Sequence, residues 1–160
     1  MRSITRSSVV GMLVVLAAVV VVGAAVASPT QATTAHSRGA TRAATVTAQP
    51  SRYGKVLFDG RGRVLYLFAR DHGGSSSCCG ACAKAWPPFL SKSAPRGLAG
   101  VKASLLGTTK RSDGTLQVTY AGRPLYYFEG DTKPGEITCQ NVSSFGGLWL
   151  VVAPSGKPVR

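Results

Sequence analysis

Acid is what this chain is short of. Six Asp and Glu stand against nineteen Lys and Arg in 160 residues, and histidine occurs only at His36 and His72. So few carboxylates and imidazoles leave little material for a general acid–base pair or a histidine-rich metal centre. No Gly-x-Ser-x-Gly elbow, His-Glu-x-x-His pair or glycine-rich phosphate loop occurs. A Ser/His/Asp arrangement would rest on His72 alone, so no catalytic residue, metal ligand or cofactor is assigned and an enzyme is not expected. There is no five-residue basic run, and nucleic acid is not an expected partner. No cysteine precedes Cys78, so the usual lipid-attachment residue of a bacterial lipoprotein is missing.

The N-terminus carries the one long apolar run. Arg2 and Arg6 form a basic start, Val9 to Val26 is uncharged, and Ala25-Val26-Ala27 supplies a small-x-small cleavage signature. Residues 1–27 therefore read as an export signal with a mature start at Ser28, or, uncleaved, as a single membrane anchor. Either way the remainder is placed outside the membrane, secreted or at the cell surface. Residues 28–52 are rich in Ala, Thr, Ser and Gln. They read as a flexible linker, because such a composition buries too little to repay ordering entropy.

Residues 53–160 form the expected folded domain, and they say the same thing twice. Gly62-Arg63-Val64-Leu65-Tyr66-Leu67-Phe68-Ala69-Arg70-Asp71 returns 60 residues later as Gly122-Arg123-Pro124-Leu125-Tyr126-Tyr127-Phe128-Glu129-Gly130-Asp131. From Tyr53 and Asp113 onward the two stretches share 7 of 19 positions, which indicates an internal duplication. The repeats span about 53–90 and about 105–153. The same 60-residue register runs on to Cys79 and Cys139.

The apolar segments are short, rich in Val, Leu, Tyr and Phe, and punctuated by Gly, Pro, Ser and Asp, which is the punctuation of strands. Strands are expected at 55–59, 64–69, 105–110, 115–120, 124–128 and 148–153, with hairpin turns at 59–62 and 120–123. Only Cys79 to Ala85 reads as helical, stopped by Pro87-Pro88. Leu65–Phe68 and Leu125–Phe128 are continuous apolar runs, so both faces should be covered. Tyr66 and Phe68 should share one face and Leu65 and Leu67 the other, and likewise for Tyr126 and Phe128 against Leu125 and Tyr127. The fold expected is mainly β: two pseudo-symmetric repeats in a small antiparallel sheet assembly, sandwich or partly open barrel, with one short helix.

The paired Tyr-x-Phe-x-x-Asp segments resemble the Yx(F/W/Y)xxD motif of the secreted-repeat family of predicted bacterial lipoproteins. The stretch Cys78-Cys79-Gly80-Ala81-Cys82-Ala83-Lys84-Ala85-Trp86-Pro87-Pro88 is similar to that family's CxGxCAxxWPP segment, and Phe145-Gly146-Gly147-Leu148-Trp149 to its closing FGGxW. The molecular function of that family is not established, so the resemblance implies an exported repeat protein and no particular activity. Two departures stand out. The lipidation cysteine is absent, and Cys79 and Cys139 are extra to the pattern.

Four cysteines in an exported domain imply two disulfides. The repeat register and the family pattern favour Cys78–Cys82 with Cys79–Cys139. The rival is Cys79–Cys82 with Cys78–Cys139, which would create a CxxC of the kind used in thiol–disulfide exchange, though without a thioredoxin-like βαβ context. A site holding metal on these thiols and His72 is disfavoured by oxidation outside the cell. Asp71 and Asp131 each fall just past a strand, where an Asx-type bond would organise a turn. Tyr66 and Tyr126 should be buried with their hydroxyls partnered, and Trp86 and Trp149 should be core residues. The reading is an exported, disulfide-stapled cell-envelope domain with a binding or structural role. Its basic balance suits anionic envelope polymers or lipid headgroups, and it meets the membrane only through an uncleaved N-terminal segment. The alternative is an extracytoplasmic thiol-redox or metal-handling protein using Cys78, Cys79 and Cys82.

Overall fold

The computed structural model describes residues 43–160, so the export segment and residues 28–42 of the linker lie outside the described residues. The last part of the expected 28–52 linker is instead strand. Thr45–Ser51 form strand β1, paired antiparallel with β2 (Gly54–Asp59) from Val46–Asp59 to Ser51–Gly54. Thr45-Val46-Thr47 is a β-branched run, and Val46 is fully buried. Composition alone hid this, because one buried valine anchors an otherwise Ala/Thr-rich segment.

Chain order continues through β3 (Tyr66–Phe68), helix α1 (Ala81–Ala85), β4 (Arg96–Gly97), a single 3-10 turn at Ala103–Leu105, β5 (Leu106–Lys110), β6 (Leu116–Tyr120), β7 (Arg123–Pro124), β8 (Val142–Ser144) and β9 (Gly147–Val151). These make three small sheets ordered β2-β1-β4, β3-β9-β8 and β5-β6-β7, antiparallel except for β4 beside β1, with no closed barrel. Among the described residues no helix is long and apolar enough to cross a membrane.

Both faces of the repeated apolar strands are covered, and each face has its own core. Tyr66, Phe68 and Tyr126 join Val56, Phe58, Trp86 and Trp149 in one cluster, with Phe128 packed against it. Leu65, Leu67 and Leu125 join Val46, Leu57, Phe89, Val118 and Tyr120 in the other, with Tyr127 packed against it. The two-residue side-chain period of a strand, applied to a run with no polar position, produces this division.

The repeats do not close on themselves. After the turn at 60–63 the chain pairs back on β2, with Leu65 N–H donating to Leu57 O at 2.9 Å. Then β3 leaves that hairpin and pairs with β9 of the second repeat, Tyr66 opposite Val151 and Phe68 opposite Trp149. Leu57 N–H also donates across, to Val152 O at 2.9 Å. The reciprocal exchange uses residues 87–90 of the first repeat. Phe89 N–H donates to Leu125 O at 2.9 Å, Val118 N–H to Phe89 O at 2.8 Å, and Tyr127 N–H to Pro87 O at 2.8 Å. Between the two exchanges, Tyr66 and Tyr126 trade both backbone bonds, each 2.9 Å. The Tyr-x-Phe strands thus meet at a local two-fold axis, and each repeat closes the sheet of the other.

A repeat alone would leave an unpaired sheet edge and half of each core. Fragments 43–98 and 99–160 are therefore expected to be unfolded separately and to regain β-structure when mixed, read by far-UV circular dichroism. A cooperative melt from either fragment alone would contradict the exchanged architecture.

Candidate functional site at the crossed repeat motifs

The motif residues meet across the repeats. Tyr66 Oη donates to Asp131 Oδ2 at 2.7 Å, and Tyr126 Oη donates to Asp71 Oδ2 at 2.6 Å. The other oxygen of each carboxylate closes its own loop. Asp71 Oδ1 accepts from Ser77 N–H and Oγ–H at 2.7 and 2.8 Å, and Asp131 Oδ1 from Thr138 N–H and Oγ1–H at 3.0 and 2.6 Å. Both aspartates are buried. The expected Asx-type bond to the adjacent turn is replaced by a longer closure, six residues on in one repeat and seven in the other. The Asx geometry occurs instead at Asp59 and Asp113, which accept from Arg61 N–H and Thr115 N–H at 2.9 Å each.

That one-residue difference has a consequence for the cysteines. Ser77 and Thr138 do the same work, so the residue equivalent to Cys139 is Cys78, and not Cys79 as the 60-residue register implied. Cys78, fully buried, is disulfide-bonded to Cys82. The expected Cys79–Cys139 bond is absent: both thiols are free, Cys79 exposed and Cys139 half-buried beside the aromatic cluster. Burial, and then the charge of Asp131, push the Cys139 thiol up from its ordinary range.

Each post-aspartate loop is also held by an arginine of the opposite repeat. Arg52 Nη2 donates to Ile137 O at 2.6 Å. Arg111 is buried, and it donates through Nη1 to Ser76 Oγ and Gln117 Oε1 at 2.6 and 2.7 Å and through Nη2 to Cys78 O at 2.7 Å. Ser76 Oγ lies 2.7 Å from Tyr126 Oη, which ties the arginine into the Tyr126–Asp71 pair. Sequence reasoning missed Arg52 and Arg111. Gly54 and Gly114, with φ of 84° in both turns, mark equivalent hairpins, but Arg52 stands two residues before its glycine and Arg111 three, so the repeat register does not align them and gave no signal.

Trp86 and Trp149 stack face to face on the axis, centroids 3.9 Å apart and planes 3° from parallel. Phe68 stacks on Trp149 at 4.2 Å and Phe128 lies tilted on Trp86 at 4.7 Å. Tyr66 and Tyr126 meet Trp86 and Trp149 edge-on at 5.3 and 5.1 Å. Every aromatic of the motif thus touches a tryptophan, and each phenylalanine covers the tryptophan of the other repeat. Gly147 permits this, since a Cβ there would stand 2.7 Å from Phe68 Cε2 and from Arg70 Cγ.

Chemically, this centre is spent. Every carboxylate oxygen of Asp71 and Asp131 already accepts a bond. Burial, reinforced by the bonds to Asp131 and Asp71, raises the Tyr66 and Tyr126 hydroxyls far above the usual tyrosine range. Tyr127 is raised likewise by burial and by Asp59, to which it donates at 2.9 Å. Among the described residues no three His, Cys, Asp or Glu side chains gather as a metal site. The described residues also form two open grooves. One of about 490 Å³ runs between Thr45, Arg61, Phe89 and Tyr127, and one of about 460 Å³ between Gln49, Arg52, Phe58 and Glu136.

Because each hydroxyl bonds a buried carboxylate, Tyr66→Phe and Tyr126→Phe should each cost about 1.5–3 kcal/mol in denaturant unfolding. Tyr66→Phe with Asp131→Asn should be non-additive, with coupling of roughly 0.5–3 kcal/mol. An additive pair would mean the bond carries no stability. Alkali gives a separate check. In the unfolded chain these tyrosines lose their protons near pH 10, whereas the folded protein holds them, so stability should fall as pH rises above about 10. A melting temperature flat from pH 9 to 11 would contradict it.

Neither a curated protein nor a solved structure matches the chain. A family described as a secreted repeat of unknown function matches twice, over residues 47–89 and 107–153, the two stretches that exchange strands and clamp one another. The chain belongs to that family of secreted repeats.

Proposed function

We propose that this is a cell-envelope domain that binds anionic envelope polymers outside the cell, with no catalytic role for its crossed repeat motifs. The carrying observation is where the charges lie. Asp59, Asp71 and Asp131 are buried in internal bonds, while among the described residues thirteen Lys and Arg side chains are exposed against only Asp113 and Glu129 among the acids. Folding therefore makes the surface more basic than the composition already is. Such a surface draws polyanions without needing a shaped pocket, and its attraction is screened by salt. The exposed cations include Arg61 on the rim of the larger groove.

The absence of free acid–base groups in the motif centre supports a binding role over a catalytic one. Secretion accords with the family, and the signal reading of residues 1–27 would deliver the domain to the envelope with or without cleavage.

The test is equilibrium binding to poly(glycerol phosphate) and, separately, to phosphatidylglycerol vesicles. Binding to the polymer at 50 mM NaCl should weaken at least about tenfold by 200 mM, as expected for several screened contacts. No binding at 50 mM, or binding indifferent to salt, would overturn the proposal. Binding to vesicles but not to polymer would move the partner to the lipid surface.

A further inference from the structure

The three clustered cysteines carry chemistry that the motif centre does not. Cys78 and Cys82 are bonded and almost wholly buried, at 0% and 7% exposure, so an external thiol has little access to either sulfur. Cys79, next in the chain to Cys78, is free and exposed. It is also one turn from Cys82, whose N–H donates to Cys79 O at 3.1 Å. Cys139, the other free thiol, is not paired with it. A buried disulfide therefore stands beside a solvent-facing nucleophile that belongs to the same turn.

We propose that Cys78, Cys79 and Cys82 form a thiol–disulfide exchange site in which Cys79 is the entry residue and a thiol of an exported protein, or a small extracellular thiol, is the substrate. The Cys79 thiolate attacks Cys82 Sγ. The Cys79–Cys82 bond forms, the Cys78–Cys82 bond breaks, and Cys78 leaves as thiolate and takes up the proton Cys79 gave up. No oxidant is consumed, because one disulfide replaces another. The new bond has one sulfur at the surface. A substrate thiolate attacks Cys79 there, expels Cys82 and forms a mixed disulfide, and a second substrate thiol resolves it. Two substrate thiols are then oxidised to a disulfide as the protein disulfide is reduced to a dithiol.

Positive charge is held at the main chain of the leaving cysteine. Arg111 is 8% exposed and donates to Cys78 O at 2.7 Å, and its Nε–H is buried with no hydrogen-bond partner. Its nearest acid there is the exposed Asp113, 3.6 Å away. A cation this close to the Cys78 main chain favours the thiolate that departs from the same residue. The vicinal alternative, Cys79 attacking Cys78, would close a strained ring between chain neighbours, so attack falls on Cys82.

The experiment uses the full chain carrying Cys139→Ala, so that Cys79 is the one thiol outside the disulfide. It is labelled with N-ethylmaleimide, digested without reduction, and the label located by mass spectrometry. Label on Cys78, with Cys79 linked to Cys82, is expected in part of the population. In parallel, reduction of the disulfide by glutathione should be at least about tenfold slower in the same chain carrying Cys79→Ser, with an unchanged melting temperature, since entry through the surface sulfur is lost. Label confined to Cys79, or equal reduction rates, would overturn the proposal.

Discussion

The structure depends on a crossed hydrogen bond between tyrosine and aspartate. A buried carboxylate must have its oxygens satisfied, and a buried phenol needs an acceptor. Neither repeat can do both for itself. The tyrosine stands on the strand that meets its twin at the two-fold axis, and the aspartate begins a loop that folds away from it. Only the other repeat brings the partner within 2.7 Å. The pairing therefore reports, in one contact, that both repeats are present and in register. A one-residue slip of either strand would turn its tyrosine to the leucine face and leave an aspartate unpaired in the core.

Much of this was legible in the sequence, and the part that was not has a common cause. The division of Tyr66 and Phe68 from Leu65 and Leu67 follows from strand periodicity, and the two clusters reproduce it. Burial of Trp86 and Trp149, the short helix before Pro87, and most strands were readable for the same local reasons. What stayed hidden was which partner each element takes. Tyr66 and Asp131 are 65 residues apart, and a duplicated sequence offers Asp71 as an equally good local match. Duplication shows that two units exist without showing whether they pair within themselves or exchange. β1 was missed because its single buried valine gives no alternation to read, and β8 because its Val-Ser-Ser sequence is equally spare.

The cysteines show how sequence register can mislead. Counting 60 residues aligns Cys79 with Cys139, and the identities around Tyr66 and Tyr126 support that count. The loop after the second aspartate is longer by one residue, since Asp131 closes on Thr138 where Asp71 closes on Ser77. At that closure the structural register is 61. The disulfide expected between the repeats would have duplicated work that the crossed bonds, the exchanged strands and the tryptophan stack already do.

The same economy bears on where function resides. Residues that recur in both repeats are those committed to the axis: the glycines of the hairpin turns, the leucines and tyrosines of the central strands, the phenylalanines over the tryptophans, the aspartates. A chain that shares this set shares the fold, and shares no activity by doing so. What distinguishes one repeat from the other is everything the axis does not need. The first repeat has a disulfide-closed helix with an exposed thiol where the second has the β8–β9 hairpin, and, apart from Arg63 and Arg123, the lysines and arginines of the domain follow no repeat. Both the proposed polyanion surface and the proposed exchange site are therefore built mainly from the asymmetric residues, with the symmetric ones holding them in place.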